Sequence, residues 1–179
     1  ELQALEAKWG IYGVLGNHDY EMGREEIKDW MKRAGIRLLE NDGTWLHRGK
    51  GKIKIGGVAD IREALPDLAP ILWDVGHRDF LLLLSHNPDF VEELDTRLVN
   101  LVLSGHTHGG QITLFNQWAP LTSSNYGQRY RQGLVVTSRT KVLVSRGIGT
   151  VRLPLRFFAR PEIWKLVLKK GVCSKGSHV

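Results

Sequence analysis

Residues 98–110 read LVNLVLSGHTHGG, an apolar run that ends in two histidines and two glycines. The run has the length and composition of a buried strand. Two earlier apolar segments, 11–15 and 80–84, likewise lead into the polar stretches 16–19 (GNHD) and 85–87 (SHN). Because ligands of open α/β sheets bind beyond the carboxyl ends of the strands, the sequence predicts that these three segments bring their histidines to one edge of a sheet.

The side chains at these strand ends form a set of nitrogen and oxygen donors: Asn17, His18, His86, His106 and His108. One histidine alone is usually a structural or surface residue, since a buried polar group simply needs a partner. Four histidines at three strand ends are better explained by a metal site. Without cysteine, such a site suits Mn, Fe, Zn or Co rather than a thiolate-bound metal.

Strands and helices alternate over the first two thirds of the chain, and strands dominate afterwards. We predict helices over 24–34, 62–76 and 88–97. The predicted strands are 9–15, 44–47, 52–55, 80–84, 98–103, 111–115, 134–137, 141–145 and 163–168. A long polar loop is expected over 116–133. This order of elements predicts an α/β fold with mixed sheets in one domain.

The composition of the 179 residues excludes several classes of protein. A hydrophobic fraction of 42% and a charged fraction of 25% are typical of globular domains and exclude disordered and fibrous chains. The single cysteine, Cys173, excludes an internal disulfide and a thiolate zinc finger. The net charge of +6 fits a solvated surface or an anionic partner, and both interpretations stay open.

The ordered motifs at the strand ends resemble those of the calcineurin-like metallophosphoesterases. Wider segments are similar to the bacterial phosphodiesterase branch of that family, which includes peripheral and lipid-precursor phosphohydrolases. These segments are 84–89 (LSHNPD), 103–111 (LSGHTHGGQ), 144–150 (VSRGIGT) and 160–163 (RPEI). The resemblance extends from Tyr12 to Leu168.

The resemblance implies a fold and a set of residue roles. The expected fold is the C-terminal part of a four-layer α-β-β-α sandwich with two mixed sheets. A centre with two divalent metal ions is expected, in which Asn17, His86 and His106 bind one ion and His108 binds the other. His18 matches the family's histidine that stabilises the phosphoryl group or protonates the leaving oxygen, and Asp19 would orient it.

The family's first two motifs, Asp-x-His and Gly-Asp, should precede residue 16, and neither occurs anywhere in the sequence. The chain also begins at Glu1 within a helical pattern. We therefore expect residues 1–179 to form a single metallophosphoesterase domain that is incomplete at its N-terminus, and the piece alone to be poorly active. Asp60 follows an apolar strand and resembles a residue that lines the cleft. The alternative for Asp60 is an aspartate that caps a turn.

Other residues are candidates for substrate contact. Tyr126 and Arg129 lie in the polar loop and could meet an anionic or aromatic part of a substrate, unless the loop is ordinary surface. Arg146 could bind a phosphate or pair with a carboxylate. The segment 152–158 combines arginines with Phe157 and Phe158. That composition suits either a membrane surface or an ordinary strand.

The sequence therefore favours a metal-dependent phosphoric ester hydrolase that uses a hydroxide activated by two metal ions. The alternative is a non-catalytic scaffold that keeps the fold with an incomplete metal site. A nuclease of the same superfamily ranks lower, because no basic groove lined with aromatic residues is apparent. We expect a small-molecule or lipid-linked phosphoester substrate, no nucleic acid, and a peripheral membrane contact. The expected location is the cytoplasm or the inner face of the membrane.

Overall fold

Two β-sheets carry the fold in the computed structural model, which describes residues 2–169. The smaller sheet pairs two parallel strands, β1 (Ile11–Gly13) and β2 (Ile36–Leu38). The larger sheet has six strands: β3 (Asp42–Arg48), β4 (Gly51–Gly57), β5 (Leu81–Leu84), β6 (Val99–Ser104), β7 (Gly133–Val136) and β8 (Lys141–Val144). Cys173 lies outside the described residues.

The larger sheet has the strand order β3-β4-β5-β6-β8-β7 and is mixed. Strands β4, β5, β6 and β8 run parallel to one another, whereas β3 and β7 are antiparallel to their neighbours. The predicted α/β fold with two sheets is thereby confirmed. The pair β3–β4 is the hairpin expected around residues 44–55.

Two α-helices accompany the sheets, namely α1 (Asn17–Arg33) and α2 (Ala69–Leu72). Helix α1 starts seven residues before the predicted start at residue 24. The prediction missed its first two turns because they are polar and lack the apolar periodicity on which the prediction depended. The backbone of Gly23 (φ 118°) also bends the helix and interrupts that periodicity. No helix within residues 2–169 has the length and apolar character needed to cross a membrane.

Four predicted elements differ from the structure. The helix expected over 62–76 shortens to α2, and the one expected over 88–97 becomes a 3₁₀ helix, Pro88–Glu92. Prolines at positions 66, 70 and 88 restrict both stretches. The strands expected over 111–115 and 163–168 are absent from the described part of the chain. Residues 112 and 114 form only isolated bridges, and 161–169 are irregular, with no strand paired to them.

The core lies against the parallel strands. Apolar side chains from one face of these strands are buried together with residues from the connections, in one cluster that includes Leu81, Leu83, Val102, Val142, Phe90, Leu94 and Tyr130. Burial of each such side chain contributes about 1.5–3 kcal/mol of stability. Since the parallel strands are fixed in this way, the residues that follow them share one edge of the sheet.

The two sheets come into contact at Gly57, the last residue of β4. A Cβ atom there would lie 2.3 Å from the carbonyl oxygen of Leu39 and 2.7 Å from Cγ1 of Val14. Both neighbours follow strands of the smaller sheet, so glycine is required for the close approach. Helix α1 is tied to the same region through Glu40, which accepts hydrogen bonds from Tyr20 and Arg24.

We expect Gly57→Ala to lower the free energy of unfolding by about 1–3 kcal/mol, because the added methyl group must push the two sheets apart. Urea denaturation would measure the change. Gly51→Ala, in the same strand, is the matched control, since its nearest neighbour would be the Arg48 carbonyl at an ordinary 3.5 Å. Equal losses in the two variants would contradict this account of the sheet contact.

Candidate metal centre

The structure gathers the predicted histidines at the carboxyl edge of the parallel strands. Asn17 begins α1 shortly after β1, His86 follows β5, and His106 follows β6. Gly16 brings the first two of these elements together, since a Cβ atom there would lie 2.5 Å from the His86 ring. The side chain of Asn17 is buried, and its Oδ1 has no hydrogen-bond partner among residues 2–169. A buried amide oxygen of this kind is available to a ligand.

His86 and His106 are in direct contact. Nε2 of His86 lies 3.1 Å from Nδ1 of His106, and the rings meet edge to face with centroids 5.0 Å apart. Two imidazole nitrogens at this separation can both bind one ion at about 2.0–2.1 Å, with an angle of about 100° between the bonds. The backbone of His106 adopts φ 66°, which is rare for a residue other than glycine. The contact therefore fits two ligands of a single divalent ion.

Backbone carbonyls determine which nitrogen of each histidine is free. Nε2 of His106 lies 3.0 Å from the Ser123 carbonyl oxygen, so Nε2 carries the proton and Nδ1 presents its lone pair to His86. Nδ1 of His108 lies 3.3 Å from the Gly149 carbonyl oxygen, which leaves Nε2 of His108 free. Hydrogen bonds of this kind commonly fix the orientation of metal-binding histidines.

Two arginines hold those carbonyls in place, and sequence reasoning identified neither. Arg62 donates from Nη2 to the Ser123 oxygen at 2.7 Å. Arg156 donates from Nε to the Gly149 oxygen at 2.9 Å and from Nη1 to the His108 oxygen at 3.2 Å. Nη2 of Arg156 also lies 3.5 Å from Nδ1 of His108, farther than the carbonyl does. The orientation of both histidines thus depends on arginine–carbonyl contacts.

The electrostatics of the site favour neutral imidazoles. Burial lowers the pKa of His86 and the pKa of His106 to about 4, and it lowers the pKa of His108 as well. Neutral imidazole is the form that binds metal ions. At neutral pH, protons therefore do not compete with a metal for these nitrogens.

Asp60 lies close to this group. It is 1% exposed, its Oδ1 accepts the Arg62 backbone N–H at 2.9 Å, and its Oδ2 has no partner. Burial raises the pKa of Asp60, while the nearby His106 acts in the opposite direction. Asp60 therefore caps a turn, as one interpretation of the sequence had it, and also leaves a buried oxygen beside the histidines.

His18 and Asp19 lie on the first turn of α1. Asp19 accepts the Gly16 backbone N–H at 2.8 Å and thereby caps the helix. Nδ1 of His18 lies 2.7 Å from the carboxylate of Glu21, and the His18 side chain is 56% exposed. The carboxylate that orients His18 is accordingly that of Glu21, which the i,i+3 spacing could have indicated. The catalytic roles assigned to His18 and Asp19 remain predictions.

The remaining candidates are engaged with other groups. Arg146 pairs with Glu162 at 2.6 Å, which is the carboxylate alternative left open by the sequence. Arg129 pairs with Glu92 at 2.8 Å, and Tyr126 packs edge to face on Tyr130. These residues stay candidates for substrate contact only if a substrate replaces such partners.

The donor set fits one ion more fully than two. Within residues 2–169, no group of three or more His, Cys, Asp or Glu side chains is arranged to hold a metal ion. The first expected ion would have Asn17, His86 and His106. For the second expected ion, His108 is the one ligand assigned in the described part of the chain.

A sheet edge lined with histidines, in the order of motifs found here, is typical of a class of phosphoesterases. Residues 1–110 match the calcineurin-like phosphoesterase family, and the chain belongs to this family. The fold and the family were both expected from the motifs.

Relatives occur in several bacteria. The chain is 39% identical over 170 residues to the uncharacterized metallophosphoesterase YkuE of Bacillus subtilis, covering 94% of this chain and 59% of that protein. It is 35% identical over 175 residues to the uncharacterized metallophosphoesterase Cj0846 of Campylobacter jejuni, covering 94% and 45%. It is 30% identical over 164 residues to the phosphodiesterase YaeI of Escherichia coli, covering 88% and 57%. The chain thus spans less than two thirds of the length of these relatives.

We expect Arg62→Ala to release the Ser123 carbonyl and let His106 change its tautomer, with a loss of metal affinity of about 10- to 100-fold. Long-range proton–nitrogen NMR of the imidazoles reports the tautomer in the metal-free protein, and calorimetry with Mn²⁺ or Zn²⁺ reports affinity. Arg37→Ala, which removes an exposed pair with Asp42, is the control. An unchanged His106 tautomer in Arg62→Ala would disprove the positioning role.

Proposed function

We propose that the chain acts as a phosphoric ester hydrolase of the phosphodiesterase type, with a hydroxide activated by two divalent metal ions. The observation that carries the proposal is the pair His86 Nε2 and His106 Nδ1, 3.1 Å apart at the strand edge of a calcineurin-like phosphoesterase. Family membership and the phosphodiesterase name of one relative support the reaction class.

Bound Mn, Fe, Zn or Co ions would polarise the phosphoryl oxygens and lower the pKa of a bound water. Asn17, His86 and His106 would hold one ion, because the two imidazole nitrogens lie 3.1 Å apart, both imidazoles are neutral, and the buried Asn17 oxygen follows Gly16, which contacts the His86 ring. His108 would offer Nε2 to the other. The contribution of the chain is to fix these donor atoms before any substrate arrives.

His18 is placed to act on the substrate itself. It is exposed on the first turn of α1, where the helix N-terminus favours a negatively charged group. The Glu21 carboxylate orients its ring, so the other ring nitrogen can bind a phosphoryl oxygen or give a proton to the leaving oxygen. Asp19 would support this role by holding the helix start in place.

The proposed substrate is a small-molecule or lipid-linked phosphoester. Arg146, Tyr126, Arg129 and Asp60 are the proposed contacts, and Asp60 is the one with an unpartnered buried oxygen near the histidines. Nucleic acid is not proposed as a substrate. We also propose that the protein is located in the cytoplasm or at the inner face of the membrane.

A second candidate function is that of a non-catalytic scaffold. It is favoured by the small number of carboxylates at the centre within the described residues. Such a protein would keep the fold and bind one ion weakly.

Hydrolysis of bis(p-nitrophenyl) phosphate with added Mn²⁺ tests the proposal. Because the piece alone is expected to be poorly active, we expect weak metal-dependent turnover, which falls by about 100-fold or more in His106→Ala, since that variant removes a ligand whose supporting contacts alone are worth 10- to 100-fold. His47→Ala is the matched control, because His47 is an exposed residue of β3.

Metal binding without turnover, with His106→Ala indistinguishable from the original chain, would favour the scaffold and overturn the hydrolase. Turnover that survives removal of the metal ions would contradict the metal-dependent mechanism.

A further inference from the structure

The second half of the chain has an unusual distribution of charge. Residues 96–161 contain no aspartate or glutamate, although the whole chain has 19. The same stretch has nine basic residues: Arg97, Arg129, Arg131, Arg139, Lys141, Arg146, Arg152, Arg156 and Arg160. Any surface formed by this stretch alone is therefore positively charged or neutral.

Large apolar side chains in this stretch are exposed. We define the aromatic surface as the residues with exposed fractions of 46–67% in two loops: Leu114, Phe115, Trp118, Leu153, Leu155, Phe157 and Phe158. The largest apolar patches of monomeric proteins are usually functional, and patches of this kind mark interaction sites.

The two loops form one continuous surface. The backbone N–H of Thr113 donates to the Phe157 carbonyl at 2.9 Å, and Ile112 bridges the same residue. The rings of Phe115 and Phe158 lie 5.4 Å apart, and those of Phe157 and Phe158 lie 4.5 Å apart. The aromatic rings thus contact one another and still remain about half exposed.

The backbone holds these rings outward at an energetic cost. Phe115, Asn116, Arg152 and Phe158 have φ values of 51–60°, in the left-handed region that residues other than glycine rarely adopt. Such strain persists only where surrounding contacts enforce it, and it concentrates at functional sites. Two of these residues, Phe115 and Phe158, belong to the aromatic surface and the other two adjoin it, which indicates a functional constraint on its shape.

The aromatic surface adjoins the candidate metal centre. Arg156, next to Phe157, donates to the carbonyls of Gly149 and His108. The Gly149 carbonyl in turn faces the His108 ring. A partner bound to the aromatic surface would therefore lie beside the centre.

We propose that the aromatic surface docks onto an anionic lipid bilayer. Phenylalanine, tryptophan and leucine enter the boundary between headgroups and acyl chains, and neighbouring basic residues attract anionic headgroups. Arg152 and Arg160 flank the aromatic residues and are exposed. A symmetric dimer through this surface would bring the arginines of both copies into one interface to which residues 96–161 contribute no carboxylate, which favours the bilayer over a second copy of the chain.

Docking in this position would bring the metal centre to phosphoesters at the membrane surface. This consequence rests on the proposed hydrolase function. It favours a lipid-linked phosphoester as the substrate. The docking itself does not depend on catalysis.

Co-sedimentation with phosphatidylcholine vesicles, with and without phosphatidylglycerol, tests the docking. The full chain should bind the vesicles that contain phosphatidylglycerol, and Phe115→Ser with Phe158→Ser should weaken binding by more than about tenfold. Arg152→Ala and Arg160→Ala should each weaken it by about fivefold, and only on the anionic vesicles.

Two controls match these variants. Trp73→Ser removes an aromatic residue that is 80% exposed at the end of α2, outside the aromatic surface. Arg139→Ala removes an exposed arginine from the β7–β8 turn, at the opposite end of β8 from the centre. Both should bind vesicles like the original chain.

Failure to bind anionic vesicles, or equal losses in the control variants, would overturn the proposal. Dimers seen by sedimentation velocity that Phe115→Ser with Phe158→Ser abolishes, without vesicle binding, would assign the surface to a second copy. The hydrolase is judged separately, because the double phenylalanine variant should still hydrolyse the soluble diester and His106→Ala should still bind vesicles.

Discussion

The parallel orientation of β4, β5, β6 and β8 is the constraint on which the rest of the structure depends. Each strand is fixed by buried apolar side chains, and β4, β5 and β6 lead at the same edge into Asp60, His86 and His106, whereas β8 leads into Arg146, which pairs with Glu162. A shift of register by one residue would exchange the two faces of a strand and move these side chains away from one another. The strand register that buries the core is therefore the same register that brings the site residues together.

Orientation at the centre comes from loops rather than from strands. The backbone oxygens of Ser123 and Gly149 determine which nitrogen of His106 and of His108 is free, and Arg62 and Arg156 hold those oxygens. The two histidines thus follow β6 directly in the sequence, while their tautomers are set by segments farther along the chain. Loop sequence can tune the site without any change in its ligands.

Local sequence patterns predicted the strands and the histidine positions, because buried parallel strands are continuous apolar runs whose ends are marked by polar residues. The arginines Arg62 and Arg156 were missed, since their partners are backbone atoms distant in sequence. The segment 163–168, in which a strand was expected, is apolar apart from Lys165, but a strand also requires a neighbour, which a local pattern does not reveal. The start of α1 was missed because its first turns face the site.

The close approach of Gly16 to the His86 ring joins a helix that follows the smaller sheet to a strand of the larger one. An ion held by Asn17, His86 and His106 would cross-link these two parts of the molecule. By thermodynamic linkage, a ligand that binds only the assembled state stabilises that assembly in proportion to the logarithm of its concentration. The concentration of free metal ions would then determine the stability of the contact between the two sheets as well as the chemistry at their edge.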